Sequence, residues 1–326
     1  MLYIADGNVC AQFYNGLSMS FGKNRVQYED FVWNYYRFDK FDIYLNQQGK
    51  DLALYANLFA EKEITRIESI LDYKLKKRLI FIVYNTLNDF KQSNIGLITG
   101  NDESNIGGIT KISKNKASVY FDGNHHNFEV QISEAITTII LNELFNGNKL
   151  TQNITNSALT NIPEWFEKGL AAYISGSWDA ETEDHVKDGI ISGRYEKFNH
   201  LTGQDAIYAG HSFWRYIAKT YGESIISNII YVTKINKNAS KGFLYVLGSS
   251  LKDLSYEWSG YYYSLYSEEE QKGTFPVKGR VLKRTRQHRA YQQLKVSPSG
   301  DYLAYVTNES GKYKIWLRNL TTHKSK

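Results

Sequence analysis

The chain has 326 residues, more than one small hydrophobic core accommodates, so its length predicts two domains or one domain with an additional fragment. Hydrophobic residues make up 42% and charged residues 22%, with 26 Tyr and 16 Phe, a composition that argues against disorder. The net charge of +5 indicates no particular partner, the one cysteine cannot form a disulfide framework or a thiolate zinc site, and no apolar run is long enough for a transmembrane helix.

The N-terminus carries a short feature of an exported protein. Val9-Cys10-Ala11 has the small residues of a signal-peptidase site, although Met1–Asn8 lacks a basic start and a full apolar stretch. We interpret residues 1–11 as the remnant of an export signal and residues 12–30 as an N-terminal extension. The alternative is a disordered N-terminus without a targeting role.

The next part of the chain is predicted to contain strands around one helix. Aromatic, β-branched and apolar runs predict four strands, at Val32–Phe38, Phe41–Leu45, Leu79–Tyr84 and Ala117–Phe121. We expect Leu79–Tyr84 to be covered on both faces, because the run is continuously apolar. Apolar residues at helical spacing from Gly49 to Asp72 predict a helix, and residues 93–115, rich in Gly, Asn and Ser, predict a loop.

From Gln131 onwards the spacing of apolar residues is helical. A second helix is predicted after Asn161, which we expect to be its N-cap, with Pro163 in the first turn and Glu164 at the capping-box position. Further helices are predicted at Asp205–Tyr221, Glu223–Ile235, Ser240–Leu247 and Ser250–Tyr266. Strands followed by helices predict an α+β fold, with a mixed sheet first and an all-helical half after it.

The C-terminal segment changes to a period of two. Residues 267–280 are interpreted as a linker. After it, short strands are predicted at Tyr291–Val296, Tyr302–Thr307 and Tyr313–Leu317, separated by breaks with turn chemistry.

Residues 31–266 contain ordered motifs of a known enzyme group. The stretch PEWFEKGLAAY at Pro163–Tyr173, the run Tyr208–Ile217 and the segment Phe243–Gly248 resemble the gluzincin-type metallopeptidases of the peptidase-MA-like group. The resemblance implies a peptidase-like domain with an H-E-x-x-H helix and a third zinc ligand, a Glu, on the helix that follows.

At these positions the sequence departs from that group. Aligned by apolar positions, the two histidines fall on Glu134 and Thr138, the catalytic Glu falls on Ala135, and the third ligand falls on Lys168. A shift of one residue places Ser133, Glu134 and Thr137 there instead, again without histidine. An ammonium about 5 Å from a divalent ion costs roughly 7 kcal/mol at an effective dielectric constant of about 20.

We therefore expect a pseudo-peptidase with no metal, no cofactor and no catalytic residue, whose degenerate site consists of Glu134, Ala135, Thr138 and Lys168. An ion pair between Lys168 and Glu134 is predicted to take the place of the metal. The alternative is a metal-dependent peptidase with atypical ligands, drawn from Glu134, Glu143 and Glu164 or Glu167.

A pair of histidines offers another possible metal site. His125-His126 with Glu129 is the best such candidate, but adjacent histidines in a turn point apart, so we interpret them as part of a surface turn.

The segment Gln292–Leu320, with its Ser-Pro-Ser-Gly-Asp turn, resembles one blade of a TolB-like or WD-type β-propeller. We interpret residues 281–326 as the first blade of a truncated propeller, because a lone blade cannot bury its faces. A small β-meander is the alternative.

Together these observations predict a non-catalytic binding or scaffold protein outside the cytoplasm, in the periplasm or at the outer membrane of a bacterium, in a cell-envelope transport or assembly context. The expected partner is a protein or peptide. The basic run Lys278–Arg289 is interpreted as a solvated linker and not as a nucleic-acid site, since no aromatic stacking platform accompanies it.

Overall fold

The computed structural model describes Gln27 and residues 29–93, 111–113, 115–146, 162–176, 178–272, 289–309 and 312–326. The predictions for residues 1–26, for Asn161 and for most of the basic run at 278–289 lie outside these described residues. The chain divides into two compact units, residues 1–268 and residues 269–326. As described, it is a mixed α+β protein with an N-terminal mixed sheet, many helices and a small antiparallel sheet at the C-terminal end.

The described part of the N-terminal sheet has five strands in the order β1-β2-β3-β5-β4. The strands are β1 (Trp33–Arg37), β2 (Phe41–Asn46), β3 (Leu79–Tyr84), β4 (Lys111–Ser113) and β5 (Lys116–Tyr120). β2, β3 and β5 run parallel, whereas β1 and β4 are antiparallel edge strands. The edge strand β4 lies within the stretch predicted to be a loop.

Helices make up most of the remaining first unit. They are α1 (Lys50–Ile70), α2 (Leu87–Lys91), α3 (His125–Asn146), α4 (Glu164–Ser175), α5 (Ala180–Ile191), α6 (Gly203–Tyr221), α7 (Ile225–Asn236), α8 (Ala239–Leu247) and α9 (Leu251–Lys272). α3 begins six residues before the predicted start at Gln131, and α2 and α5 were not predicted. None of the described helices is long and apolar enough to cross a bilayer.

The central strand β3 is covered on both faces, as predicted. Phe81 and Val83 belong to the main hydrophobic core, while Ile82 and Tyr84 pack with Phe90 of α2 on the opposite face. A capping box between Thr86 and Asp89 fixes the start of α2 and so holds Phe90 in place. This is why a near-continuous apolar strand is stable here.

The helical half is built around a close crossing of α4 and α6. A Cβ atom added to Gly169 of α4 would lie 2.4 Å from the Cα and carbonyl carbon of Gly210 in α6. The rings of Trp165 and Phe166 then pack against Phe213 and Trp214, with centroids 5.0 to 5.2 Å apart. Because neither glycine has a side chain, α4 and α6 approach each other closely enough for these aromatic rings to pack together.

The start of α4 differs from the prediction. Pro163 is the N-cap residue with extended backbone, so it precedes the first turn, and Glu164 is the first helical residue. The predicted capping box with Glu164 is therefore wrong. The proline ring fixes the φ angle of Pro163. Within the described residues, no side chain caps this helix start with a hydrogen bond.

The second unit contains the antiparallel strands β6 (Ala290–Val296), β7 (Tyr302–Glu309) and β8 (Lys312–Asn319). The backbone of Lys326 exchanges two hydrogen bonds of 3.0 Å with Leu317, so the last residues pair with β8. α9 continues to Lys272, so the first part of the predicted linker at 267–280 is helical.

Candidate functional site

The candidate site lies where helices α3 and α4 pack together, and α3 presents one stripe of residues to it. Gln131, Glu134, Thr138 and Asn142 are partly exposed, whereas most residues between them are buried. Their spacing of three and four residues places them on one face of the helix. Gln131 anchors this stripe to the sheet, because its side-chain amide pairs with both the N–H and the carbonyl of Tyr120 in β5.

The two predicted alignments of the degenerate site place their residues on different faces of α3. Glu134 and Thr138 lie on the accessible face, one turn apart, as two metal-binding histidines would. Ser133 and Thr137 are buried and already engaged: Ser133 donates to Glu63 Oε1 at 2.5 Å, and Thr137 donates to the Ser133 carbonyl at 2.9 Å. The first alignment thus places Glu134 and Thr138 on the partly exposed face and Ala135 in the core, whereas the second places Ser133 and Thr137 in the core and Glu134 on the partly exposed face.

On α4, the ammonium of Lys168 pairs with Glu164 one turn earlier on the same helix. The predicted ion pair between Lys168 and Glu134 is therefore wrong as a contact, because a partner at i−4 is reached without crossing between helices. The other Glu164 oxygen accepts a hydrogen bond of 3.2 Å from the Gly203 N–H. Both partners are solvent-accessible, so this pair contributes little to stability.

Two carboxylates at this site are poorly hydrated. Burial raises the pKa of Glu134, and the charge of Lys168 opposes that rise. Burial also raises the pKa of Glu167 on α4. The cation of Lys168 is therefore close enough to act on Glu134 without forming an ion pair with it.

The donors at these four positions do not fit zinc. Glu134 offers one carboxylate, Ala135 no donor, Thr138 a hydroxyl, and Lys168 a cation, whereas zinc sites use thiolate, imidazole and carboxylate ligands. In the part of the chain that the structure describes, no three His, Cys, Asp or Glu side chains are grouped so as to hold a metal ion.

Glu143, one of the proposed atypical ligands, faces a different part of the molecule. It is buried and accepts hydrogen bonds from the backbone N–H groups of Lys76 and Lys77, at 3.1 and 3.0 Å. It also lies about 13 Å from Glu134 along the axis of α3, since each residue advances a helix by about 1.5 Å. The structure thus does not bring Glu143 together with Glu134.

A buried polar network behind the stripe ties three helices together. Glu63 of α1 accepts hydrogen bonds from Arg66 and from Ser133 of α3, and Arg66 also donates to the Ile174 carbonyl at the end of α4, at 2.6 Å. Burial alone would raise the pKa of Glu63, but these hydrogen bonds and the charge of Arg66 hold that pKa below its usual value. The network fixes the relative positions of α1, α3 and α4.

The burial of His211 on α6 was not predicted from the sequence. Its imidazole is 3% exposed and lies edge-on to the Trp178 ring, with centroids 5.0 Å apart. Burial lowers the pKa of His211 to about 4, assisted by the charge of Arg215 and opposed by Asp179. His211 is therefore neutral at pH 7. Its only sequence signal was its position within an amphipathic helix.

His125 and His126 lie in the first turn of α3 and not in a separate surface turn. The His125 ring contacts those of Tyr55 and Phe121, with centroids 4.6 and 4.9 Å apart. Glu129, their proposed companion ligand, accepts a hydrogen bond of 2.5 Å from the Tyr55 hydroxyl. These contacts give His125 and Glu129 structural roles.

A scan of the sequence against protein-family models finds no match. A search of curated proteins finds no similar protein.

Proposed function

We propose that this chain is a non-catalytic binding or scaffold protein, built on a metallopeptidase-like domain followed by a propeller-like blade. The observation that supports it best is the chemistry at the third-ligand position. Lys168 places a cation there, close enough to oppose the rise that burial causes in the pKa of Glu134. That cation would repel a divalent ion bound at the same position.

The position of the catalytic base supports the same proposal. A gluzincin activates water with the Glu of H-E-x-x-H. Ala135 occupies this position in the first of the two alignments, and a methyl group can neither accept nor transfer a proton. In this alignment the four positions thus provide neither a set of zinc ligands nor a general base.

The edge of the N-terminal sheet has a feature that suits peptide binding. In the described part of the sheet, β4 is an edge strand, antiparallel to β5, and α3 is joined to β5 through Gln131. An extended peptide that pairs with the outer edge of β4 would run along the sheet beside α3. Binding of this kind draws its affinity from main-chain hydrogen bonds and requires no catalytic group.

The second unit supports a role in binding as well. On one face of its sheet, Ala304 pairs with Leu317 and Val306 pairs with Ile315, and Ile315 is 80% exposed. An apolar sheet face of this kind is suited to pack against another surface. With the export-like Val9-Cys10-Ala11, it supports a protein partner outside the cytoplasm, in the periplasm or at the outer membrane of a bacterium.

The test is to offer the purified protein a degenerate decapeptide library and to measure both retention and cleavage. We expect retained peptides to be recovered intact. Methylation of alternate backbone nitrogens in a retained peptide should weaken binding, while methylation of the intervening nitrogens should not. Cleavage by the wild-type protein, or equal tolerance of both methylation patterns, would count against the proposal.

An atypical peptidase is the second candidate, and the raised pKa values of Glu134 and Glu167 are the observation in its favour. Carboxylates with raised pKa values are suited to proton transfer near neutral pH. In this case cleavage of the same library would be present in the wild type and lost in Glu134→Gln.

A further inference from the structure

Helices α7 and α8 form a tightly packed pair on the first unit. A Cβ atom added to Gly242 of α8 would lie 2.0 Å from Thr233 Oγ1 and 3.1 Å from the Ile229 carbonyl of α7. The connection is short, with Lys237 in the left-handed region and Asn238 capping α8 through a hydrogen bond of 3.0 Å from the Lys241 N–H. The two helices are therefore held in a fixed position relative to each other.

The outer sides carry large apolar side chains in contact with solvent. Tyr231 and Ile235 of α7 are 65% and 61% exposed, and Leu244 and Tyr245 of α8 are 43% and 62% exposed. Tyr231 and Ile235 lie one turn apart on α7, whereas Leu244 and Tyr245 are adjacent on α8 and point about 100° apart. We call these four residues the α7–α8 face. Exposed clusters of this kind mark interaction sites more often than isolated apolar residues do.

The charge around the α7–α8 face has one sign. Residues 224–252 contain Lys234, Lys237, Lys241 and Lys252 and no Asp or Glu. Within the described residues, none of these lysines takes part in an ion pair. The nearest acids in the chain are Glu223, before the start of α7, and Asp253, next to Lys252, so the segment that carries the α7–α8 face contains lysines and no acid.

The basic surface continues onto the loop between α1 and β3. The ammonium groups of Lys76 and Lys234 each lie 5.8 Å from the centroid of the Tyr73 ring, so the loop and α7 meet there. Of the acids close by, Asp72 beside Tyr73 is exposed, whereas Glu143 and Glu68 are buried and engaged. Glu143 accepts from the Lys76 and Lys77 N–H groups, and Glu68 accepts from Lys40 and Lys74. The exposed lysines Lys76 and Lys234 therefore outnumber the exposed acid Asp72 at this junction.

We propose that the α7–α8 face docks on an anionic phospholipid bilayer. Tyrosine rings with apolar bodies and polar hydroxyls suit the headgroup region, and Ile235 and Leu244 suit its apolar border. Lysines around the face reach anionic headgroups through flexible stems. A bilayer with anionic headgroups would contact the lysines and the four exposed apolar side chains together.

The experiment is vesicle flotation with the full chain. One set of vesicles is phosphatidylcholine alone, and the other contains phosphatidylglycerol and phosphatidylcholine. We expect the protein to float with the anionic vesicles and not with the neutral ones, and expect salt to release it. Lys234→Gln, Lys237→Gln and Lys241→Gln together should weaken binding about a hundredfold, because each lysine near an anionic surface contributes about fivefold.

Matched controls identify the surface. Tyr231→Ser with Tyr245→Ser should reduce binding at least tenfold, whereas Tyr256→Ser with Tyr263→Ser on α9, where both tyrosines are also exposed, should leave it unchanged. Circular dichroism confirms that each variant is folded. The proposal is overturned if the wild type does not bind anionic vesicles, which is the result expected if the partner is an acidic protein. It is equally overturned if the Tyr231 and Tyr245 variant binds like the wild type, since the basic run at 278–289 would then account for binding.

Discussion

The substitution Gly169→Ala tests the close crossing of α4 and α6. The added Cβ would lie 2.4 Å from two backbone carbons of Gly210 and 2.8 Å from the His211 nitrogen. Carbon atoms in contact prefer about 3.5 to 4.0 Å, so the overlap exceeds 1 Å. All three neighbours are backbone atoms of a helix, so no side chain can move aside, and the helices must separate.

Separation of the helices disturbs the aromatic packing of Trp165 and Phe166 against α6. Overpacking of this kind costs about 1 to 3 kcal/mol, and we expect the upper end because the obstacle is rigid. Alanine recovers up to about 1 kcal/mol of helix propensity, which leaves a net loss of about 2 kcal/mol. With a urea m-value of about 2 to 3 kcal/mol/M, the unfolding midpoint should fall by nearly 1 M.

The assay is urea unfolding followed by tryptophan fluorescence, with Gly260→Ala as the matched control. Gly260 is a helical residue of α9 with no atom within 4 Å of an added Cβ, so the same change should stabilise the protein by up to about 1 kcal/mol. A Gly169→Ala variant as stable as the wild type would refute the close crossing. So would equal destabilisation by both changes, since the loss would then reflect helical glycine in general.

Three further predictions concern the polar groups. Ser133→Ala should destabilise the protein by about 2 kcal/mol in chemical unfolding, because a buried carboxylate loses a donor, whereas Ser255→Ala on α9 should change stability by less than about 0.5 kcal/mol. Since the pKa of His211 falls from 6.5 to about 4 on folding, the unfolded chain binds more protons, so this residue's contribution of about 3 kcal/mol is present above pH 6.5 and lost towards pH 4. His211→Leu should flatten the stability profile in this window, and an unchanged slope would contradict the burial. Lys168→Gln should alter the free energy of unfolding by less than about 0.5 kcal/mol, and a loss above 2 kcal/mol would reveal a stronger partner than Glu164.

Continuous or sharply ended patterns were predictable from sequence. The predicted and observed bounds of β3 are both Leu79–Tyr84, because an apolar run of this length suits a strand and is too short for a buried helix. The ends of α6 and α8 were predicted at Gly222 and Gly248, and both glycines have positive φ. A helix end of this kind is set by the residue itself and needs no tertiary information.

Short elements and tertiary contacts were not predictable. β4 has three residues, Lys-Ile-Ser, and owes its conformation to pairing with β5, which a local pattern cannot show. α5 buries only Thr182, Val186, Gly189 and Ile190, so its apolar periodicity is weak. The burial of His211 depends on Trp178, which lies 33 positions earlier in the chain, and only the fold brings them together.

The partner of Lys168 shows a different kind of error. Glu164 stands four residues before it, a spacing that favours a pair on one helix turn. The expectation of a pair with Glu134 came from the family resemblance and overrode this local rule.

The zinc content of the purified wild-type chain, measured by inductively coupled plasma mass spectrometry, tests the central claim most directly. A variant with Glu134→His, Thr138→His and Lys168→Glu provides the matched comparison, because it supplies two imidazoles and a carboxylate on α3 and α4. We expect less than about 0.1 zinc per wild-type chain and about one per variant chain, since only the variant has a complete ligand set. About one tightly bound zinc per wild-type chain, with peptide cleavage that a chelator abolishes, would contradict the account.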